Sequence, residues 1–86
     1  MNGVRNLAYP KQVLLVGTSP LIHQINFEYP SSEQEQTLYL YDILGREVSR
    51  LNVHPGTTIY SMPDRQFRSG HYFARLGIMS AGFEVF

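Results

Sequence analysis

The side chains that most often do chemistry are few in this sequence and widely spaced. The three histidines, His23, His54 and His71, lie far apart along the chain, and there is no cysteine. Metal ligands usually include at least one closely spaced pair, so we expect no metal site. Asp42 could join His54 or His71 in a catalytic triad, but no serine lies in the G-x-S-x-G pattern of a nucleophile. The glycines are isolated and form no phosphate-binding loop, so the sequence predicts neither an enzyme nor a cofactor.

The aromatic side chains are the other group with chemical potential. Six tyrosines and five phenylalanines occur among the 86 residues, mostly at alternating positions of apolar runs. Aromatic rings on one side of a sheet can stack on a carbohydrate or a peptide, and they can equally fill the core between two sheets. The alternation favours the core.

The composition is that of one small globular domain. Of its 86 residues 43% are hydrophobic and 16% charged, and the formal net charge is zero. A nucleic-acid-binding surface is strongly basic, so no nucleic-acid partner is expected. No apolar run approaches the roughly 18 residues of a membrane span. Residues 1–10 lack the apolar centre of a signal peptide and are interpreted as a linker or a vector-derived extension, with residues 11–86 as the domain.

Short apolar runs separated by turn residues predict the secondary structure. Residues 21–29 are the clearest case, because apolar and polar side chains alternate there as in a half-buried strand. Further strands are predicted at 12–16, 57–62 and 71–76, with a short last strand at 83–86 and turns at 17–20 and 77–82. No segment has helical periodicity, so the chain is expected to be an all-β, antiparallel sandwich of about seven strands. The predicted core comprises Leu21, Ile25, Phe27, Leu38, Leu40, Val48, Tyr60, Tyr72 and Leu76.

One hairpin stands at the centre of the prediction. The stretch LYLYDILGREVSRL, residues 38–51, consists of an apolar run, a turn of the form Asp-x-x-Gly, and a second strand-like segment that is rich in charged residues. Asp favours the first position of a four-residue turn and Gly the last, so Asp42 and Gly45 are expected to close a tight turn between two strands. A last strand of four residues would leave part of its neighbour unpaired, so self-association through an open edge strand is also expected.

The hairpin and the segment near residue 70 together resemble a known family. Leu40-Tyr41-Asp42, Gly45-Arg46, Val48, Gly56, Ser69-Gly70, Tyr72 and Arg75-Leu76 match, in order and spacing, the motifs of the type-A C-terminal sorting domain of the Bacteroidetes type IX secretion system. Upstream, Ile25-Asn26-Phe27 with Tyr29-Pro30 resembles the preceding strand of that family and its proline stop. The immunoglobulin-like domain of flagellar-hook capping proteins has a similar hairpin.

The resemblance implies a seven-stranded immunoglobulin-like β-sandwich that acts without an active site. Such a domain passes through the periplasm at the C-terminus of a cargo protein and is recognised by the outer-membrane secretion and attachment machinery. The cargo then reaches the cell surface or the medium, in most cases after cleavage of the domain and joining to anionic lipopolysaccharide. The residues that the resemblance assigns to recognition are Asp42, Gly45, Arg46, Val48, Gly56, Ser69, Gly70, Tyr72 and Arg75.

The sequence departs from the family at its end. Members usually finish with a lysine-rich strand, whereas this chain has no lysine after Lys11 and stops at Gly82-Phe83-Glu84-Val85-Phe86. Either the sequence is truncated, or the domain is retained uncleaved on a component of the attachment machinery. The alternative function is a structural or ligand-binding immunoglobulin-like module of a larger surface or flagellar protein.

Overall fold

The computed structural model describes residues 13–86, which form seven strands. The interpretation of residues 1–10 as a linker or extension lies outside the described residues. The strands are β1 (Leu15–Ser19), β2 (Gln24–Glu28), β3 (Gln36–Asp42), β4 (Glu47–Val53), β5 (Ile59–Pro63), β6 (Gly70–Leu76) and β7 (Met79–Val85). None of these described residues is helical, and accordingly no helix among them is long and apolar enough to cross a membrane. The prediction of an all-β chain is confirmed over this part of the sequence.

The strands form two antiparallel sheets. A three-stranded sheet has the order β1-β2-β5 and a four-stranded sheet the order β4-β3-β6-β7. The inner pairs of the two sheets, β2 with β5 and β3 with β6, are far apart in sequence, so long-range pairing holds each sheet together. Side chains from both sheets join one hydrophobic cluster, which gives the molecule a sandwich-like arrangement.

The core consists of the inward-facing side chains of the central strands. The fully buried members with the largest side chains are Ile25 and Phe27 on β2, Leu38 and Leu40 on β3, and Leu76 on β6. The ring of Phe27 meets that of Phe83 edge to face at 5.8 Å, which joins β2 of one sheet to β7 of the other. These five and Tyr72 confirm six of the nine predicted core residues, while Tyr60 packs against the core and is partly buried.

Leu21 and Val48 were assigned wrongly to the core. Leu21 is 97% exposed, because residues 20–23 form the turn between β1 and β2 and the second strand begins only at Gln24. Val48 is 42% exposed because the inward positions of β4 are Ser49, Leu51 and Val53. Val48 also has no partner residue on β3, since Leu40 lies opposite Ser49 and Tyr41 opposite Glu47. Val48 is therefore the extra residue of a β-bulge.

Most residues of two predicted turn segments belong to strands. Gly17, Thr18 and Ser19 belong to β1 and pair with β2, so the first turn comes later than predicted. At the other end of the chain the connection from β6 to β7 needs only Gly77 and Ile78, with Gly77 at a φ of 63°. A two-residue turn leaves Met79–Val85 as a full strand paired along the whole of β6, rather than the four-residue strand predicted. The predicted length of the last strand is therefore wrong, and the expectation of self-association was based on that length. The outer strands of the two sheets are β1, β5, β4 and β7.

Candidate recognition surface

The turn between β3 and β4 is built around the Asp42 carboxylate. Its Oδ1 accepts hydrogen bonds from the backbone N–H groups of Leu44 and Arg46, at 3.0 and 2.9 Å, and its Oδ2 accepts one from Arg46 Nε at 2.8 Å. The Gly45 N–H donates to the Asp42 carbonyl at 2.9 Å, and Gly45 has a φ of 83°. The predicted turn is confirmed, with Asp at its first position and Gly at positive φ.

These contacts favour the charged form of Asp42. The hydrogen bond from the backbone N–H of Arg46 is the largest cause that lowers the pKa of Asp42, and the Arg46 guanidinium and the Leu44 N–H lower it further, while desolvation opposes them. The carboxylate is therefore held in its own turn by hydrogen bonds to the backbone and to Arg46.

Tyr72 holds the loop that faces this turn. Its hydroxyl donates a hydrogen bond of 2.6 Å to the carbonyl of Arg68, four residues earlier, and its side chain is almost completely buried. The Tyr72 ring contacts Phe67 at 5.4 Å and Phe83 at 5.7 Å between centroids. A buried hydroxyl needs a hydrogen-bond partner, and the carbonyl that it finds here fixes the loop before β6 against the core.

A groove lies between the turn and that loop. It has a volume of about 620 Å³, and we call it the hairpin groove. The side chains along it come from the β3–β4 turn, the start of β4, and the segment 66–72. Six of the nine residues assigned to recognition from the sequence line it, namely Asp42, Arg46, Val48, Ser69, Gly70 and Tyr72.

The other three assigned residues lie outside the groove. Gly45 is in the turn itself but does not line the groove. Gly56 is in the β4–β5 connection, where it has a φ of 80° and its N–H donates to the carbonyl of Ser32 at 2.9 Å. Arg75 is on the outer face of the four-stranded sheet. The structure thus brings together most of the predicted residues, but it also gives Gly56 and Gly45 a purely conformational reason to be glycine.

On the outer sheet face, arginines stack on tyrosines. The guanidinium of Arg75 lies 5.4 Å from the ring centroid of Tyr39 and 5.6 Å from that of Tyr41. Arg50, on the neighbouring strand β4, lies 5.4 Å from the Tyr39 ring centroid and makes two hydrogen bonds to the Glu47 carboxylate, at 2.9 and 3.0 Å. These are contacts across neighbouring strands, so they stabilise the sheet as well as exposing a flat cationic and aromatic surface.

The hairpin groove combines apolar walls with positive charge. Ile43 and Leu44 line it although they are 64% and 73% exposed, and Arg68 contributes a cation. Among residues 13–86 no carboxylate lies within 4 Å of the Arg68 guanidinium, whereas Arg46 is paired with Asp42. The sequence prediction omitted Ile43, Leu44 and Arg68. The available signal was the placing of two aliphatic residues at the centre of a turn, where polar residues are usual.

The three histidines are in three different places. His23 lies 3.5 Å from Asp64, His54 lies 3.4 Å from Glu35, and His71 lies 3.9 Å from Glu84. Within the described part of the chain no three His, Asp or Glu side chains converge as metal ligands would. The hairpin groove offers apolar contact area and the hydrogen-bond donors of the Arg68 guanidinium. No protein-family model matches the chain, and no curated protein matches it significantly.

Proposed function

We propose that this chain is a non-catalytic recognition module, a C-terminal sorting domain of the type IX secretion system. In this proposal the folded domain carries a larger protein from the periplasm across the outer membrane to the cell surface. The observation that carries the proposal is the hairpin groove: six residues of the family motifs, from two separate parts of the chain, line one groove. Motif residues that meet around one groove can shape a surface to which another protein binds.

The topology supports the immunoglobulin-like class that the proposal requires. The sheet orders β1-β2-β5 and β4-β3-β6-β7 are compatible with an assignment to strands A-B-E and C′-C-F-G of such a sandwich, which is the assignment that we propose. The hydrogen bond from the Tyr72 hydroxyl to the Arg68 carbonyl has the form of the tyrosine corner, in which a tyrosine at the start of strand F binds backbone a few residues upstream.

The chemistry of the groove fits recognition by a protein of the outer-membrane machinery. Its exposed aliphatic side chains offer apolar contact area, and the Arg68 guanidinium offers hydrogen bonds to a carboxylate or a carbonyl group. Attachment to anionic lipopolysaccharide after export, or retention of the uncleaved domain on a machinery component, belongs to the same proposal.

A second candidate function is favoured by the outer sheet face. Tyr39, Tyr41 and the half-exposed Phe73 form a flat aromatic surface crossed by Arg75. A structural or ligand-binding immunoglobulin-like module of a larger surface or flagellar protein would use such a face, and it would not depend on the groove.

The test is a reporter fusion in a bacterium that has the type IX machinery. Residues 10–86 are fused to the C-terminus of a periplasm-targeted reporter, which should then appear on the cell surface. In a strain that lacks the outer-membrane translocon the same fusion should stay in the periplasm. Surface delivery in that strain, or none in the intact strain, rejects the sorting function.

Groove variants separate recognition from folding. Changing Asp42 to Ala together with Gly45 to Val should trap the reporter, but that pair also disrupts the turn. Arg68→Glu reverses a charge on an exposed side chain and should trap the reporter without lowering Tm. Ile78→Ser, at the opposite end of the sandwich, is the matched control and should be exported normally. Export of Arg68→Glu at the normal level contradicts a role for the groove.

A further inference from the structure

Gly82 leaves a gap in the outer face of the four-stranded sheet. It lies in the middle of β7 and pairs with Phe73 of β6, and the register of the two strands continues through this pair without a bulge. Its φ is not positive, so the backbone does not require a glycine here. A glycine inside a strand weakens the sheet, and it often marks a place where a ligand comes close to the backbone.

The Phe73 ring borders this gap. A Cβ atom on Gly82 would lie 3.6 Å from Cε1 and 3.7 Å from Cδ1 of Phe73, so the ring leans across the sheet toward the glycine. Phe73 is nevertheless 47% exposed. Phe73, Gly82 and Glu84 line a depression of about 330 Å³, which we call the sheet depression, and none of the three lines the hairpin groove. Its volume is at the lower end of the range of small-molecule sites.

Polar groups with free hydrogen-bonding capacity lie beside the exposed ring. Among residues 13–86 the basic group within 4 Å of the Glu84 carboxylate is His71 Nε2, at 3.9 Å, which is too long for a hydrogen bond. Tyr41 lies opposite Phe73 on β3, and Arg75 stacks on the Tyr41 ring. Within the same part of the chain neither the Tyr41 hydroxyl nor the Arg75 guanidinium makes a hydrogen bond. Both donors and acceptors are therefore available around the aromatic surface.

The charges of this face balance. Its outward positions carry two arginines, Arg50 and Arg75, and two glutamates, Glu47 and Glu84. Arg50 and Glu47 are hydrogen-bonded to each other, at 2.9 and 3.0 Å, which leaves one guanidinium and one carboxylate. A face with no net charge gives a strongly anionic or cationic ligand no advantage over a neutral one.

A saccharide matches this combination of groups. A pyranose ring with equatorial hydroxyl groups exposes C–H groups on its faces, and these carry the partial positive charge that suits the negative face of an aromatic ring. The hydroxyl groups at its edge both donate and accept hydrogen bonds, so they can bind a carboxylate and a guanidinium. An apolar peptide would instead remove water from Glu84 and Arg75 without replacing its hydrogen bonds.

We propose that the outer face of the four-stranded sheet binds a neutral polysaccharide. One pyranose unit stacks on Phe73 beside Gly82 and hydrogen-bonds to Glu84, and the next unit lies over Tyr41 and hydrogen-bonds to Arg75. The inference rests on the second candidate function, that of a ligand-binding module, and it names the ligand class. It is independent of sorting, because none of these residues lines the hairpin groove.

Nuclear magnetic resonance titration of the isotope-labelled full chain tests the proposal. The probes are three neutral hexasaccharides with β-1,4 linkages, namely cellohexaose, mannohexaose and xylohexaose, each at millimolar concentration. At least one of them should shift the amide signals of Phe73, Gly82 and Glu84 in a saturable manner. The amide signals of Ile43 and Leu44 in the β3–β4 turn should move less.

Variants identify the groups that bind. Phe73→Leu keeps an apolar side chain over Gly82 but removes the aromatic face, so it should lower the affinity about tenfold, whereas Phe73→Tyr should retain it. Glu84→Ala should also lower the affinity about tenfold, and Glu84→Gln, which keeps a carbonyl acceptor, should lower it less. Ile59→Ala is the matched control, because Ile59 is 53% exposed on the outer face of the other sheet, and it should bind normally.

A groove variant separates this proposal from the sorting function. Arg68→Glu, which is expected to block export of the reporter, should bind the saccharide like the unchanged protein. Absence of a saturable shift with all three saccharides would overturn the proposal and leave the sorting function untouched. Shifts confined to the hairpin groove, full affinity in Phe73→Leu, or an equal loss in Phe73→Leu and Ile59→Ala would overturn it as well.

Discussion

Removing one oxygen atom from Tyr72 tests whether its hydroxyl anchors the loop before β6. In Tyr72→Phe the ring keeps its contacts with Phe67 and Phe83, and only the 2.6 Å hydrogen bond to the Arg68 carbonyl is lost. A net hydrogen bond contributes about 1 kcal/mol, and a buried acceptor left without a partner costs about 1–3 kcal/mol. This hydrogen bond is only partly buried and Arg68 is an exposed residue, so we use the lower figure. We expect the free energy of unfolding to fall by about 1 kcal/mol.

Thermal and urea unfolding of the purified chain measure this change. For a domain of this size about 1 kcal/mol corresponds to a fall of about 4–8 °C in Tm. Tyr60→Phe is the matched control, because among residues 13–86 the Tyr60 hydroxyl makes no hydrogen bond and the side chain is only partly buried. Its Tm should change little. An unchanged Tm in Tyr72→Phe, or an equal fall in both variants, would refute the assignment of Tyr72 to the anchoring of the loop.

Three further predictions concern the turn and the core. Gly45→Ala should lower the free energy of unfolding by about 1–2 kcal/mol, because Gly45 has a φ of 83°. Gly82→Ala is the control and should be nearly neutral, since the added Cβ meets only ordinary contacts at 3.6 Å or more. Equal urea midpoints for the two variants would contradict this prediction. Because the pKa of Asp42 is lower in the folded state, its contribution to stability is present above its ordinary value of 3.8 and is lost as pH falls through the folded value. Asp42→Asn should therefore flatten the urea midpoint against pH below about 4, and an unchanged slope would count against the turn contacts. Phe27→Ala should cost about 3–5 kcal/mol and Leu21→Ser almost nothing, as seen by circular dichroism melting.

The central strands could be predicted from the sequence because burial imposes a period of two on them. In β2 and β3 the buried residues Ile25, Phe27, Leu38 and Leu40 alternate with less buried ones, and the sequence shows the same alternation. A strand with one face in the core has little freedom in its pattern. The Asp42 turn was predictable for a different reason, since its Asp and Gly satisfy local requirements of the backbone.

The ends of the strands could not be predicted in the same way. Gly17 was predicted to be part of a turn, but it lies in β1 and pairs with Asn26 of β2. An edge strand such as β1 can accommodate a glycine. The true turn includes His23 at a φ of 55°, a conformation that is uncommon for a residue other than glycine. The prediction for Val48 failed for a similar reason. The β-bulge at Val48 depends on the register of β3 against β4, and that register cannot be derived from the sequence of β4 alone.

The candidate site contains two kinds of residue, those that are hydrogen-bonded within the domain and those that are exposed, and the sequence alone could not distinguish them. The family resemblance gives the same weight to each matched residue. In the structure, however, the polar side-chain atoms of Asp42 and Tyr72 are hydrogen-bonded within the turn and to the loop before β6, so few of these atoms are available to a partner. The side chains of their neighbours Ile43, Leu44 and Arg68 make no hydrogen bond or ion pair among the described contacts, and they are exposed. Asp42 and Tyr72 therefore fix the shape of this end of the sandwich, and the exposed side chains beside them are the ones free to meet a partner. A substitution at Arg68 or Leu44 should change binding without changing Tm, whereas one at Tyr72 should change both.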